Sequence, residues 1–132
     1  RGLQGTDWDV PVQGYDPRDL LRGHYLVFRY DWPGLEDGEV PGPGKMMCLE
    51  GTAPRIDAAR VAPLDTACAR PVRAAPGDTL LAGKLYIPQD KASALGQQLA
   101  DPALRGIVTL RVRDGGRYTP ISIRFEPRPA GP

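Results

Sequence analysis

Apolar and polar side chains alternate along several stretches of this chain. Trp8, Val10 and Val12 alternate with Asp9, Pro11 and Gln13, which predicts a strand, and the proline inside it predicts an edge position. His24, Leu26, Phe28, Tyr30 and Trp32 share one face of a second strand, with Tyr25, Val27, Arg29 and Asp31 on the other. Its aromatic and β-branched content suits a pleated, half-buried surface. A short strand is predicted over 45–50, with Met47 and Leu49 opposite Met46 and Cys48, a weaker one over 55–62, and a further one over 80–87 that Pro88 ends.

The last two strands form a hairpin. Taking Gly115 and Gly116 as a two-residue turn pairs Val112 with Thr119, Leu110 with Ile121 and Val108 with Ile123. Turn chemistry and apolar pattern then agree on one register. Helical signals are few. Asp16 can cap, Pro17 fits a first helical position, Asp19 lies in the first turn and Gly23 is a left-handed stop, so one helical turn is predicted over 17–21. Asp90 is read as the cap of a helix over 91–100, with Leu95 and Leu99 on its apolar face and Pro102 ending it. The segments 33–44 and 63–78 read as loops. The pattern as a whole predicts an all-β or β-rich domain over 1–132: an antiparallel barrel or sandwich of about six or seven short strands, with one short helix near 91–100.

Composition narrows the setting. The 16 Gly and 15 Pro residues favour many turns and short elements over a helical bundle. A net charge of +1 offers no strong field for nucleic acid, so none is expected as a partner. No run of about 18 apolar residues is present to span a membrane as a helix. The chain opens at Arg1 rather than Met and is expected to be part of a longer protein. Cys48 and Cys68 can close a loop of about 20 residues, stabilising by about 3 kcal/mol on the chain-entropy view, or can be two thiols in a reducing compartment. The spacing leaves both readings open.

The stretch GHYLVFRY, Gly23 to Tyr30, resembles the signature of the bacterial GDYXXLXY family. Gly23, Tyr25 and Tyr30 match it, and Asp16, Pro17, Arg18, Leu20, Leu21, Arg22 and Gly23 resemble the family's approach to the motif. Further along, LYIPQDKASAL (Leu85 to Leu95) is similar to its strand, proline and helix segment. Two positions depart from the pattern: His24 replaces the motif Asp, and Phe28 replaces the motif Leu while keeping an apolar plug. The resemblance implies a body outside the cytoplasm, in the periplasm or at the cell surface. It also implies an N-terminal membrane helix, absent from this chain, that tethers the body to the inner membrane. It implies no activity.

Candidate chemistry is thin. His24 has an ordinary pKa suited to acid–base work, and Asp16 and Asp19 can pair as acid and base. A lone histidine at the start of an aromatic strand reads better as structural, and the two aspartates as capping groups. Arg18 and Arg22 then bond those carboxylates or turn carbonyls. Ser93 and Ser122 are the two serines, one in a helix and one on the outer side of the hairpin. The entry to the aromatic strand is superficially similar to the strand after the nucleophile of signal peptidases, but the upstream serine and a nearby lysine are missing. His24, Cys48 and Cys68 lack zinc-ligand spacing, so no metal and no cofactor is expected. Arg111, Arg113 and Arg124, with Arg117 past the turn, make a cationic row suited to an anionic partner or to a solvated face. The expectation is a non-enzymatic extracytoplasmic module that binds an integral membrane or envelope protein. The alternatives are a hydrolase using His24 with Asp16 or Asp19, and a carrier whose pocket is lined by Tyr25, Phe28, Tyr30 and Trp32.

Overall fold

A computed structural model of the chain describes residues 5–13, 25–36, 38–75 and 79–129. These form strands β1 (Thr6–Gln13), β2 (Tyr25–Tyr30), β3 (Lys45–Glu50), β4 (Ala58–Pro63), β5 (Pro71–Arg73) and β6 (Ala82–Tyr86). Helix α1 (Gln89–Ala100) and strands β7 (Leu104–Val112) and β8 (Tyr118–Pro127) follow. A five-stranded antiparallel sheet has the order β6-β2-β1-β7-β8, and a three-stranded one the order β4-β3-β5. Neither closes into a barrel, so the sandwich form of the expectation is the one observed. The predicted helical turn over 17–21 lies outside the described residues.

The apolar halves of the alternating strands face each other between the sheets. Trp8, Val10, Val12, Leu26, Phe28, Val108 and Leu110 from the larger sheet share one buried cluster with Met47, Leu49, Ala59 and Val72 from the smaller. Two isolated parallel bridges join Asp9 of β1 to Arg55 and Arg73 of β5 to Arg117, next to β8. Cys48 and Cys68 are bonded, with Cα atoms 6.0 Å apart. The bond ties β3 to the segment leading into β5. Such bonds persist outside the reducing cytoplasm, which points to an extracytoplasmic setting.

Four expectations need correction. Pro11 does not mark an edge: β1 lies at the centre of its sheet. It tolerates the proline because its ladder to β2 covers only Val12–Tyr30 and Gln13–Arg29. Pro11 then accepts a hydrogen bond from the Asp31 N–H at 2.9 Å, but cannot return one, and the ladder ends there. The hairpin turn uses three residues, Asp114–Gly116, and pairs Val112 with Tyr118 and Leu110 with Pro120. A bulge then absorbs Ile121, the register recovers at Val108–Ile123, and Ile121 is left exposed instead of facing inward. The helix begins at Gln89 with Pro88 in the capping position, so Asp90 lies in the first turn and acts through its charge rather than as a cap. The loop 63–78 conceals β5, whose three residues are too few to show a period.

Candidate binding surface

Strand β2 sends Tyr25, Val27 and Arg29 to the outer face of the larger sheet, away from the core. Its partner β6 places Tyr86 opposite Tyr25, Lys84 opposite Val27 and Ala82 opposite Arg29. The Tyr25 and Tyr86 rings meet edge to face with centroids 5.8 Å apart, and the Lys84 ammonium sits 4.8 Å from the centre of the Tyr25 ring. Tyr25, Val27 and Tyr86 are 44 %, 44 % and 57 % exposed. The result is an apolar, aromatic patch with the cations Lys84 and Arg29 beside it, spread over β2 and the edge strand β6.

The inner face of the same strand holds this patch in place. Phe28 and Tyr30 pack edge to face at 5.4 Å, and Trp32 continues the row at 5.1 Å from Tyr30. The Trp32 indole N–H donates to the Leu80 carbonyl at 2.8 Å. Tyr30 is buried, and among the described residues its hydroxyl makes no hydrogen bond of ordinary geometry. Burial pushes its pKa up, and the neighbouring Tyr118 hydroxyl adds to the rise. This ring fits only because β6 carries Gly83 opposite Phe28: a Cβ there would collide with the Tyr30 hydroxyl.

Across β1, β7 and β8 the outer face is ionic. Arg111 donates to both carboxylate oxygens of Asp7, at 2.9 and 3.1 Å. The Thr109 hydroxyl donates to Asp9 at 2.8 Å, and Arg124 pairs with Asp9 at 3.1 Å. Arg105 reaches Glu126 at 3.0 Å. The hydrogen bond from Arg111 holds the Asp7 carboxyl below its usual pKa. A groove of about 730 Å³ runs beside this ladder, lined among others by Pro11, Trp32, Ile56 and Ile107. The sequence signal for these acidic partners is the alternation of Asp7 and Asp9 with Trp8 and Val10, which puts both carboxylates on the outer face.

The structure separates several of the sequence candidates. Phe28, Tyr30 and Trp32 face the core and Tyr25 faces out, so these four do not line one carrier pocket. Of the predicted cationic row, Arg111 and Arg124 are engaged by carboxylates, whereas Arg113 and Arg117 are exposed at the hairpin end. Ser93 and Ser122 are exposed on separate elements, α1 and β8. Asp16, Pro17, Arg18, Asp19, Leu20, Leu21, Arg22, Gly23 and His24 lie outside the described residues. Among the described residues, no group of three or more His, Cys, Asp or Glu side chains is placed to hold a metal ion, and no helix is long and apolar enough to cross a membrane. Lys84 and Tyr86 fall in the strand predicted over 80–87, and their alternation with Leu85 and Ile87 is the sequence signal that places them outward.

Comparison with known proteins bears on the motif. No curated protein and no solved structure matches the chain. A protein-family model described as GDYXXLXY protein matches residues 2–123, nearly the whole length. The chain belongs to the GDYXXLXY family.

Proposed function

We propose that this chain is a non-enzymatic binding module of the bacterial envelope, tethered to the inner membrane by a helix outside the present sequence. In this reading it engages an integral membrane or envelope protein through the outer face of β2 and β6. The observation that carries the reading is the exposure of Tyr25, Val27 and Tyr86 together on one sheet face. Contiguous aromatic exposure next to a sheet edge is what protein interaction surfaces present, and tyrosines supply much of the contact energy there. Lys84 adds a cation that a partner's carboxylate can meet at the rim.

The test is site-specific photocrosslinking in cells that make the membrane-anchored protein. A crosslinker at position 27 is expected to capture a membrane or envelope protein, and Tyr25→Ser with Tyr86→Ser to cut the yield about tenfold or more. A crosslinker at Thr119, exposed on β8, is the control. Equal capture at both positions, or none at position 27, would overturn the reading. His24→Ala is expected to leave the capture unchanged.

A further inference from the structure

At the other end of the larger sheet, beyond Val112 and Tyr118, stretches distant in sequence deliver arginines to one place. Arg113 and Arg117 flank the Asp114–Gly116 turn and are joined by a 2.8 Å bond from the Arg113 N–H to the Arg117 carbonyl. The bridge between Arg73 and Arg117 sets β5 alongside. The fit is close: a Cβ on Gly116 would come within 3.0 Å of the Pro71 carbonyl and the Arg73 side chain. Arg70 leads directly into β5. Arg73 spends a guanidinium N–H on the Leu64 carbonyl at 2.9 Å. Arg70, Arg113 and Arg117 are exposed and join none of the ion pairs formed among the described residues.

Between β5 and the hairpin lies a cleft of about 650 Å³, lined among others by Thr6, Trp8, Thr52, Arg70, Arg113 and Asp114. Arg70 reaches it from the β5 side and Arg113 from the hairpin. Asp114 is the carboxylate in this lining, and Asp7 nearby is already held by Arg111. Two guanidinium groups free of ion pairs among the described residues, from separate stretches of chain and with Thr6 and Thr52 in the same lining, suit a tetrahedral anion that accepts bonds from several directions. A phosphate offers three or four oxygens to such donors, where a carboxylate offers two in one plane.

We propose that this cleft binds a phosphate group, gripped between Arg70 and Arg113. The site is independent of the β2–β6 surface, which lies at the opposite end of the sheet. The phosphate can come from a phospholipid headgroup or from a free phosphate, and two probes separate these sources. Vesicles of phosphatidylglycerol in phosphatidylcholine are tested by co-sedimentation, and inorganic phosphate by calorimetry. Binding to at least one probe is expected, weakened about tenfold or more in the Arg70→Gln/Arg113→Gln double variant. Arg29→Gln/Arg128→Gln removes the same charge at the far end and is expected to keep affinity within about threefold. All four side chains are exposed, so both variants are expected to keep the wild-type circular dichroism spectrum and melting temperature. Phosphatidylglycerol binding without phosphate binding assigns the site to headgroups, and phosphate binding in solution assigns it to free phosphate. Failure of the wild type to bind either probe, or equal weakening in the two double variants, would overturn the proposal without touching the crosslinking result.

Discussion

Strand β2 sends Leu26, Phe28 and Tyr30 one way and Tyr25, Val27 and Arg29 the other. The inner set is buried against both sheets, and its room is fixed by neighbours such as Gly83. Among the described residues of its own sheet the outer set lies beside β6 and, at Arg29, beside Gln13 of β1, and Tyr25 and Val27 stay half exposed. The two tyrosines that match the family signature therefore do different work. Tyr30 is a core residue whose hydroxyl is confined, and Tyr25 is a surface residue whose ring is on offer. A motif read along the chain mixes the two roles, because neighbouring positions in a strand belong to opposite faces.

The sharpest way to break this contrast is to remove one residue from each face. Phe28→Ala leaves a cavity in the sandwich and is expected to cost about 3–5 kcal/mol, read from urea denaturation. Tyr25→Ser removes a half-exposed ring and is expected to change stability by about 0.5 kcal/mol or less, while lowering crosslinking at position 27. If Tyr25→Ser destabilised as much as Phe28→Ala, the outer face would be a structural layer and the binding role would fail.

Gly83→Ala probes the same contrast with a smaller change. The added methyl meets the Tyr30 hydroxyl, so the ring or β6 must shift. The expected loss is about 1–3 kcal/mol. The companion variant Gly83→Ala/Tyr30→Phe removes the colliding oxygen and is expected to recover part of that loss. No recovery would show that β6 itself, rather than the tyrosine, requires the glycine.

How much of this was legible depended on how long each pattern ran. The aromatic strand alternates over nine positions, from His24 to Trp32, and its described part, residues 25–32, faces as expected. The hairpin was legible as a pair, but its register near the turn was not. Gly115 and Gly116 both suit positive φ, so a two-residue and a three-residue turn look alike until the bulge at Ile121 is seen. Three-residue β5 carries no period at all. Pro11 misled for a different reason: a proline reports that one ladder bond is missing, not how many neighbours the strand has. The ionic ladder was half visible. The arginines drew notice as a cationic row, but Asp7 lies 104 positions from Arg111, and only sheet pairing brings them together.

That ladder supplies the smallest expected effect and the last comparison, between the aromatic and ionic halves of one outer face. Asp7 has its pKa lowered in the folded protein, chiefly by the hydrogen bond from Arg111; burial opposes this, and the Arg111 charge adds a smaller lowering. A carboxyl whose folded pKa lies below its unfolded value contributes stability above the unfolded value, about pH 4 for an aspartate, and loses it as pH falls through the folded value. Wild-type stability should therefore decline below about pH 4 more steeply than that of Arg111→Gln. Both side chains are about two-fifths exposed, at 38 % for Arg111 and 41 % for Asp7, so water and salt screen the pair and the difference should be slight. Asp7→Asn should flatten the acid limb as much as Arg111→Gln does, and the double variant should add nothing further. High salt should shrink the gap between wild type and either variant. Identical acid limbs in wild type and Arg111→Gln would mean that the pair is not formed in solution. Arg111 would then be a free cation beside Arg113, and the anion-binding cleft would reach further along β7 than the present geometry allows.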